Sequence, residues 1–124
     1  MSTHAIINVK VGDGYKSAYL HSDGYPEYAL RMLQEHYNDE QKALALVSLG
    51  DMSLLAERLE PESGSEHSFS NRQEGVCMFY KRDRGELNCE CVTSSQPNTD
   101  ERWNYLFADG EWITISSNYE GDTP

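Results

Sequence analysis

Trp103-Asn104-Tyr105-Leu106-Phe107-Ala108-Asp109-Gly110-Glu111-Trp112-Ile113-Thr114-Ile115 decides how the rest of this chain is read. Two runs rich in aromatic and β-branched residues flank Asp109-Gly110, a dipeptide suited to the tight turn of an antiparallel ribbon. Strands are expected over Trp103 to Phe107 and Trp112 to Ile115. A lone two-stranded ribbon is marginal in water, so a larger sheet must receive this one.

The N-terminal residues offer the sheet two more strands. Ala5, Ile7, Val9 and Val11 alternate with His4, Ile6, Asn8 and Lys10, the period of a half-buried strand. Gly12-Asp13-Gly14 supplies turn chemistry, and Lys16 to Leu20 reads as the returning strand. Further on, Val76 to Tyr80 reads as a strand and Lys81-Arg82-Asp83-Arg84-Gly85 as a turn, with Leu87 to Val92 returning antiparallel. The polar stretches Pro61 to Gly75 and Thr93 to Asp100 read as loops.

Between these strands the period changes. Pro26 suits the first position of a helix, and Ala29, Met32, Leu33, His36 and Tyr37 then mark one apolar face. Asn38 or Asp39 caps a second helix that runs from Gln41 to Val47 and stops at Gly50. Asp51 or Ser53 starts a further short turn through Leu54 and Leu55 to Leu59. Residues 1–116 are thus expected to form a single α+β domain. It is an antiparallel β-sheet with two to three short α-helices packed on one face. Residues 117–124 read as a flexible acidic tail.

Charge narrows the partners. The 124 residues include 21 acids and 10 bases, a formal net charge of −11. Residues 1–84 hold 13 acids and 9 bases, whereas residues 85–124 hold 8 acids and Arg102 as the one base. Direct nucleic-acid binding needs a basic surface that displaces counterions, and an anionic membrane repels this chain, so neither is expected as a partner. A basic protein surface would be attracted. The start Met1-Ser2-Thr3-His4 has neither the basic nor the apolar region of a secretory signal, which points to the cytosol.

Four sets of residues could carry chemistry. Cys89 and Cys91, two apart on an expected strand, share a face, and Cys77 on the neighbouring strand could join them with His67 or His21 as a fourth zinc ligand. The Cys-x-Cys spacing is not that of a zinc knuckle, and three reduced thiols in the cytosol make the simpler reading, so no metal and no cofactor are expected. His21, Asp23, His67, Arg82 and Arg84 could line one pocket of a small phosphodiesterase or nucleotide-processing enzyme. Caps and a charged turn explain the same residues, and no catalytic fingerprint is present. Glu86, Glu90, Asp100, Glu101, Asp109 and Glu111 form the acidic set, able to space carboxylates on strands somewhat as phosphates are spaced. Tyr15, Tyr19, Tyr25, Tyr28, Tyr80 and Tyr105 divide between core positions and interface anchors.

His21-Ser22-Asp23-Gly24-Tyr25-Pro26-Glu27-Tyr28 is similar to the opening of a family of small acidic proteins encoded by bacteriophages and prophages. The similarity continues through Leu33 to Tyr37, Leu49-Gly50-Asp51-Met52-Ser53-Leu54, His67-Ser68-Phe69, Tyr80-Lys81-Arg82-Asp83-Arg84-Gly85-Glu86 and Asn104-Tyr105-Leu106-Phe107. It spans most of the chain, and Lys81 stands where the family often has Tyr. The resemblance implies a phage origin and work in the host cytoplasm, and it carries no activity of its own. By analogy with small acidic phage proteins, the expected function is an anti-defence protein of anti-CRISPR or anti-restriction type. It would bind a host nucleic-acid-processing complex with a basic surface, as a DNA mimic, through the six acids named above. It is expected to act as a monomer or homodimer and not as an enzyme.

Overall fold

The computed structural model describes residues 3–60 and 74–115. Ten elements follow in the order β1 (Ala5–Val11), β2 (Gly14–Ser22), α1 (Ala29–His36), α2 (Glu40–Ser48), β3 (Met52–Leu54), β4 (Met78–Phe79), α3 (Tyr80–Arg84), β5 (Val92–Ser94), β6 (Trp103–Ala108) and β7 (Glu111–Ile115). The fold is α+β. Seven strands make one sheet in the order β4-β3-β2-β1-β6-β7, and β5 pairs with β2.

Side-chain alternation gives the sheet two unlike faces. Ala5, Ile7 and Val9 of β1 point to one side, as do Ala18 and Leu20 of β2 and Tyr105, Phe107 and Trp112 of the last ribbon. These side chains form one buried cluster with Leu33 of α1 and Leu46 and Val47 of α2. The other face carries His4, Ile6, Asn8, Tyr19, His21, Asn104, Leu106 and Ile113, and no helix of the described residues covers it. We call it the open face.

Polar atoms in the core are satisfied. The Tyr37 hydroxyl donates to the Ala56 carbonyl at 2.7 Å and lies 3.2 Å from the Cys77 Sγ. Trp112 Nε1–H donates to the Tyr37 carbonyl at 2.9 Å, and the Tyr105 hydroxyl to the Gly24 carbonyl at 2.6 Å. Burial, followed by the neighbouring Cys77, pushes the Tyr37 hydroxyl well above the usual phenol range. These bonds hold α1 and the segment before it onto the β6–β7 ribbon.

Several expectations need correction. The sheet is mixed, because β1 runs parallel to β6 and β2 parallel to β3. Met52–Leu54 is a strand and not a helical turn. The edge of β2 beyond Leu20 needs backbone partners, and Met52 and Leu54 supply them opposite Leu20 and Ser22. Pro26 lies in a turn before α1, with Ala29 N–H bonded to the Tyr25 carbonyl at 2.8 Å. The expected strand Val76 to Tyr80 is reduced to Met78–Phe79, since Asp83 accepts from the Phe79 N–H at 2.8 Å and folds Tyr80–Arg84 into α3. Leu87 to Val92 does not return as a strand. Asn88 takes φ 64°, outside extended geometry, and pairing starts only at Val92, opposite Ser17 of β2. Much of the expected loop Pro61 to Gly75 and the whole of the expected tail 117–124 lie outside the described residues. No helix of the described residues is long and apolar enough to cross a membrane.

Candidate functional site

The open face carries its polar groups in two clusters. The first lies at its centre. Asn8, fully buried, donates from Nδ2 to the carbonyls of Asn98 at 3.0 Å and Tyr105 at 3.1 Å. Its Oδ1 accepts from the Ser17 hydroxyl at 2.6 Å and the Asn98 N–H at 2.8 Å. Nearby, Asn104 Nδ2 donates to the Glu101 carbonyl at 2.7 Å and its Oδ1 accepts from the Glu101 N–H at 3.3 Å. Together the two asparagines lay the segment between β5 and β6 across the open face. That segment brings Asp100 and Glu101 with it.

The second cluster lies at the end of the face where β1 begins. His4, just before β1, and His21 of β2 are neighbours and stack with ring centres 4.7 Å apart. His4 Nδ1–H donates to the His21 carbonyl at 2.7 Å, which sets its tautomer, and the Tyr19 hydroxyl lies 3.0 Å from His21 Nδ1. Burial first, then the negative charge of Glu101, then Tyr80 and Asp51, push the Tyr19 hydroxyl up to about 12. It therefore remains a proton donor at neutral pH.

Asp51 joins this cluster to the chain beyond α3. Its carboxylate accepts the Tyr19 N–H at 3.0 Å, filling the gap on the edge of β2 between β5 and β3. Its own N–H donates to the Cys89 carbonyl at 2.8 Å, and its carbonyl accepts from the Tyr80 N–H at 3.2 Å. Burial raises the Asp51 carboxyl, the Tyr19 N–H lowers it, and the charge of Glu90 raises it again, for a net upward shift. Desolvation, followed by Glu86, Asp51 and Glu90, likewise raises the half-buried Cys89 thiol.

The upward shift at Asp51 has a signed consequence. In the folded protein this carboxyl holds its proton to higher pH than in the unfolded chain. Stability therefore declines as pH rises from about 4, the usual carboxylate range, to the elevated folded value. Asp51→Asn keeps the acceptor for Tyr19 and removes the charge. The variant is expected to be more stable than the wild type at about pH 7, by less than about 1 kcal/mol for a half-buried group, and equal to it at about pH 3. Thermal melts at the two pH values check this.

The six acids expected as a recognition set fall into two groups. Glu101 with Asp51 stands beside Tyr19, Glu86 and Glu90 with Asp51 stand beside Cys89, and Asp100 lines a shallow groove with Ser17, Val92 and Asn98. Asp109 and Glu111 sit at the far end of the sheet, five and seven residues beyond Asn104 in the sequence. Asp109 lines a shallow groove of about 470 Å³ there with Lys10, Asn38, Asp39 and Glu40. In the first group Lys81 Nζ lies 3.6 Å from Glu90, and Arg84 Nε lies 3.6 Å from Glu86. All four side chains are about half exposed or more, so these pairs exchange readily with solvent or with a partner.

The pocket imagined for a small enzyme is not assembled by the described residues. His21 is on the open face. Arg82 lies on the helix side, its guanidinium 4.9 Å from the Phe79 ring centre. It donates to the carbonyls of Leu59 and Cys77 and pairs with Asp83 at 2.9 Å. Arg84 turns to Glu86, and Asp23 takes φ 56° in the link after β2. His67 lies outside the described residues. The three cysteines do not converge either. Cys77 is fully buried against Tyr37, while Cys89 and Cys91 are half-buried in the segment before β5. Among the described residues, no group of three or more His, Cys, Asp or Glu could hold a metal ion.

Sequence reading missed Asp51 and the His4–Tyr19–His21 triplet. The triplet was within reach, since period-two alternation places Tyr19 and His21 on one face. Asp51 was not, because its role depends on which strands meet at the edge of β2. Comparison with protein-family models, curated proteins and solved structures finds no match to the chain.

Proposed function

We propose that this protein is a phage-encoded anti-defence inhibitor acting in the host cytoplasm. It binds a nucleic-acid-processing complex, of CRISPR or restriction type, through its acidic open face and works there as a DNA mimic. The observation that carries this reading is the placing of Asp51 and Glu101 beside Tyr19, with Glu86 and Glu90 beside the adjoining Asp51 and Cys89. Carboxylates held on a folded framework offer fixed negative charge to a basic groove, and the groove releases anions when it is filled. Tyr19 and the stacked histidines supply the flat amphipathic surface on which interface anchors are commonly built. The similarity to phage and prophage proteins agrees with the same reading. It makes the protein a binder that needs no cofactor and performs no catalysis.

The test is affinity capture of tagged protein from a defence-competent bacterial host at low and moderate salt, followed by measured binding to the recovered complex. Lysine at Glu86, Glu90, Asp100 and Glu101 is expected to slow association at least about ten-fold. Lysine at Glu27, Glu35, Glu40 and Glu60, exposed acids away from the open face, is expected to leave most of the rate. Wild-type association should weaken as salt rises, because exposed charges are screened over roughly 8–10 Å. Equal effects of the two quadruple variants would remove the open face from the argument.

A further inference from the structure

The Cys-x-Cys pair has no part in the reading above, and its surroundings set it apart from the third thiol. Cys77 is fully buried, with the Tyr37 hydroxyl and the Ala56 N–H both 3.2 Å from its sulfur. Cys89 and Cys91 are only half-buried and belong to no strand or helix. Two residues apart, their Cα atoms are separated by at most about 7 Å. A disulfide needs about 4.4–6.8 Å. A small closing of the chain at Glu90 therefore suffices to bridge them.

That short segment is tied at both ends. After Cys91 the chain enters β5, where Val92, Thr93 and Ser94 pair with Ser17, Lys16 and Tyr15 of β2. Before Glu90 the tie is a single bond, from the Asp51 N–H to the Cys89 carbonyl at 2.8 Å. Gly50 stands close against that carbonyl and the Glu90 Cα, so the carbonyl can withdraw but not advance. Closing the ring shortens the span from Cys89 to Cys91. The strain falls on the weaker tie, because one hydrogen bond resists it at Asp51 and a ladder of three pairs resists it at β5.

We propose that Cys89 and Cys91 form a redox switch, in which an intramolecular disulfide draws the Cys89 carbonyl off the Asp51 N–H and frees the segment carrying Glu86 and Glu90 from the edge of β2. The oxidant is a small disulfide of the glutathione class. One protein thiolate attacks it, forming a mixed disulfide and expelling one glutathione thiolate. The other protein thiolate then attacks the protein-bound sulfur and expels the second. Two electrons pass from the protein to the oxidant, and the two protons given up by the cysteines end on the two glutathione thiols. So short a ring gains little from loop closure and carries strain, which places it among the readily reduced, regulatory disulfides. Desolvation, followed by Glu86, Asp51 and Glu90, raises the Cys89 thiol, so exchange through this sulfur quickens as pH rises. The effect of the switch on a partner rests on the acidic-face reading; the switch itself does not.

The test equilibrates the full chain with mixtures of reduced and oxidised glutathione at about pH 8, near the ordinary thiol range. After acid quenching, mass spectrometry should find a monomer lighter by two hydrogens, with the bond inside the peptide that holds Cys89 and Cys91. Hydrogen exchange at the Asp51 amide should be at least about ten-fold faster in this form, while the amides of β6 keep their protection. Cys91→Ser cannot close the ring, so it should stop at a mixed disulfide and keep slow exchange at Asp51. A wild type that stops at mixed disulfides, a bond that involves Cys77 or a second chain, or a bridged protein with unchanged exchange at Asp51 would each overturn the switch. If the bridge forms and frees Asp51, yet both redox forms associate equally with the captured complex, the switch stands and the role given to Glu86 and Glu90 in recognition falls.

Discussion

Gly50→Ala is expected to lower the unfolding free energy by about 3–4 kcal/mol. Gly50 takes φ +90°, and an added Cβ would come within 2.2 Å of the Cys89 carbonyl oxygen. That oxygen is backbone, and it also accepts the Asp51 N–H, so neither partner can move without breaking the join. Gly12→Ala separates the two causes. Gly12 also has positive φ, +60°, but nothing lies within 4 Å of its added Cβ, so strain alone should cost about 1 kcal/mol. The difference between the variants in urea denaturation is the contribution of the contact. Hydrogen exchange at the Asp51 amide should accelerate in the Gly50 variant beyond its loss of global stability, because the segment carrying Glu86 and Glu90 comes loose. Equal stability of the two variants would show that Cys89 is free to yield.

Asn8→Ala is expected to cost about 3 kcal/mol and to disturb the site most directly. The side chain makes four hydrogen bonds and has no exposed surface. Alanine leaves the Ser17 hydroxyl, itself 3% exposed, and the Asn98 N–H without their acceptor. An unmatched buried donor loses its bond to water as well as its bond to protein. The segment through Asn98 should then lift from the sheet and take Glu101 away from Tyr19. Three readings should change together: a lower denaturation midpoint, faster exchange at the Asn98 amide, and a Tyr19 hydroxyl that ionises at lower pH. The double variant with Ser17→Ala should cost less than the sum of the single changes, since the hydroxyl that alanine orphans is gone. Strict additivity would mean that the two side chains act independently.

Local physics made most of the elements legible. Alternation over Ala5 to Val11, the Asp109-Gly110 turn and the capping position of Asp39 depend on neighbours a few residues away. They appear where expected, and Asp39 accepts from the Lys42 N–H at 2.8 Å. The elements that went astray were short and had no periodicity to read. Met52–Leu54 has three residues, and it became a strand because β2 had an unpaired edge beside it. The three residues of Val92–Ser94 are all exposed, and they pair for the same reason. Backbone groups that need partners settled both segments, and a sequence window does not contain the partner.

The candidate site divides in the same way. Composition by itself determined the sign of the charge and its concentration after residue 84, because these quantities are sums over residues and need no geometry. Alternation determined that Tyr19 and His21 share a face. Only the tertiary structure decided which acids stand together, because β6 lies beside β1 while the chain before it crosses the open face to reach that place. That crossing brings Glu101 to Tyr19 and leaves Asp109 and Glu111 at the other end of the same sheet. It also decided that Arg82 faces the helices and His21 does not. Residues far apart in sequence meet where strand pairing puts them, and strand order is settled by burial and hydrogen bonding across the whole domain.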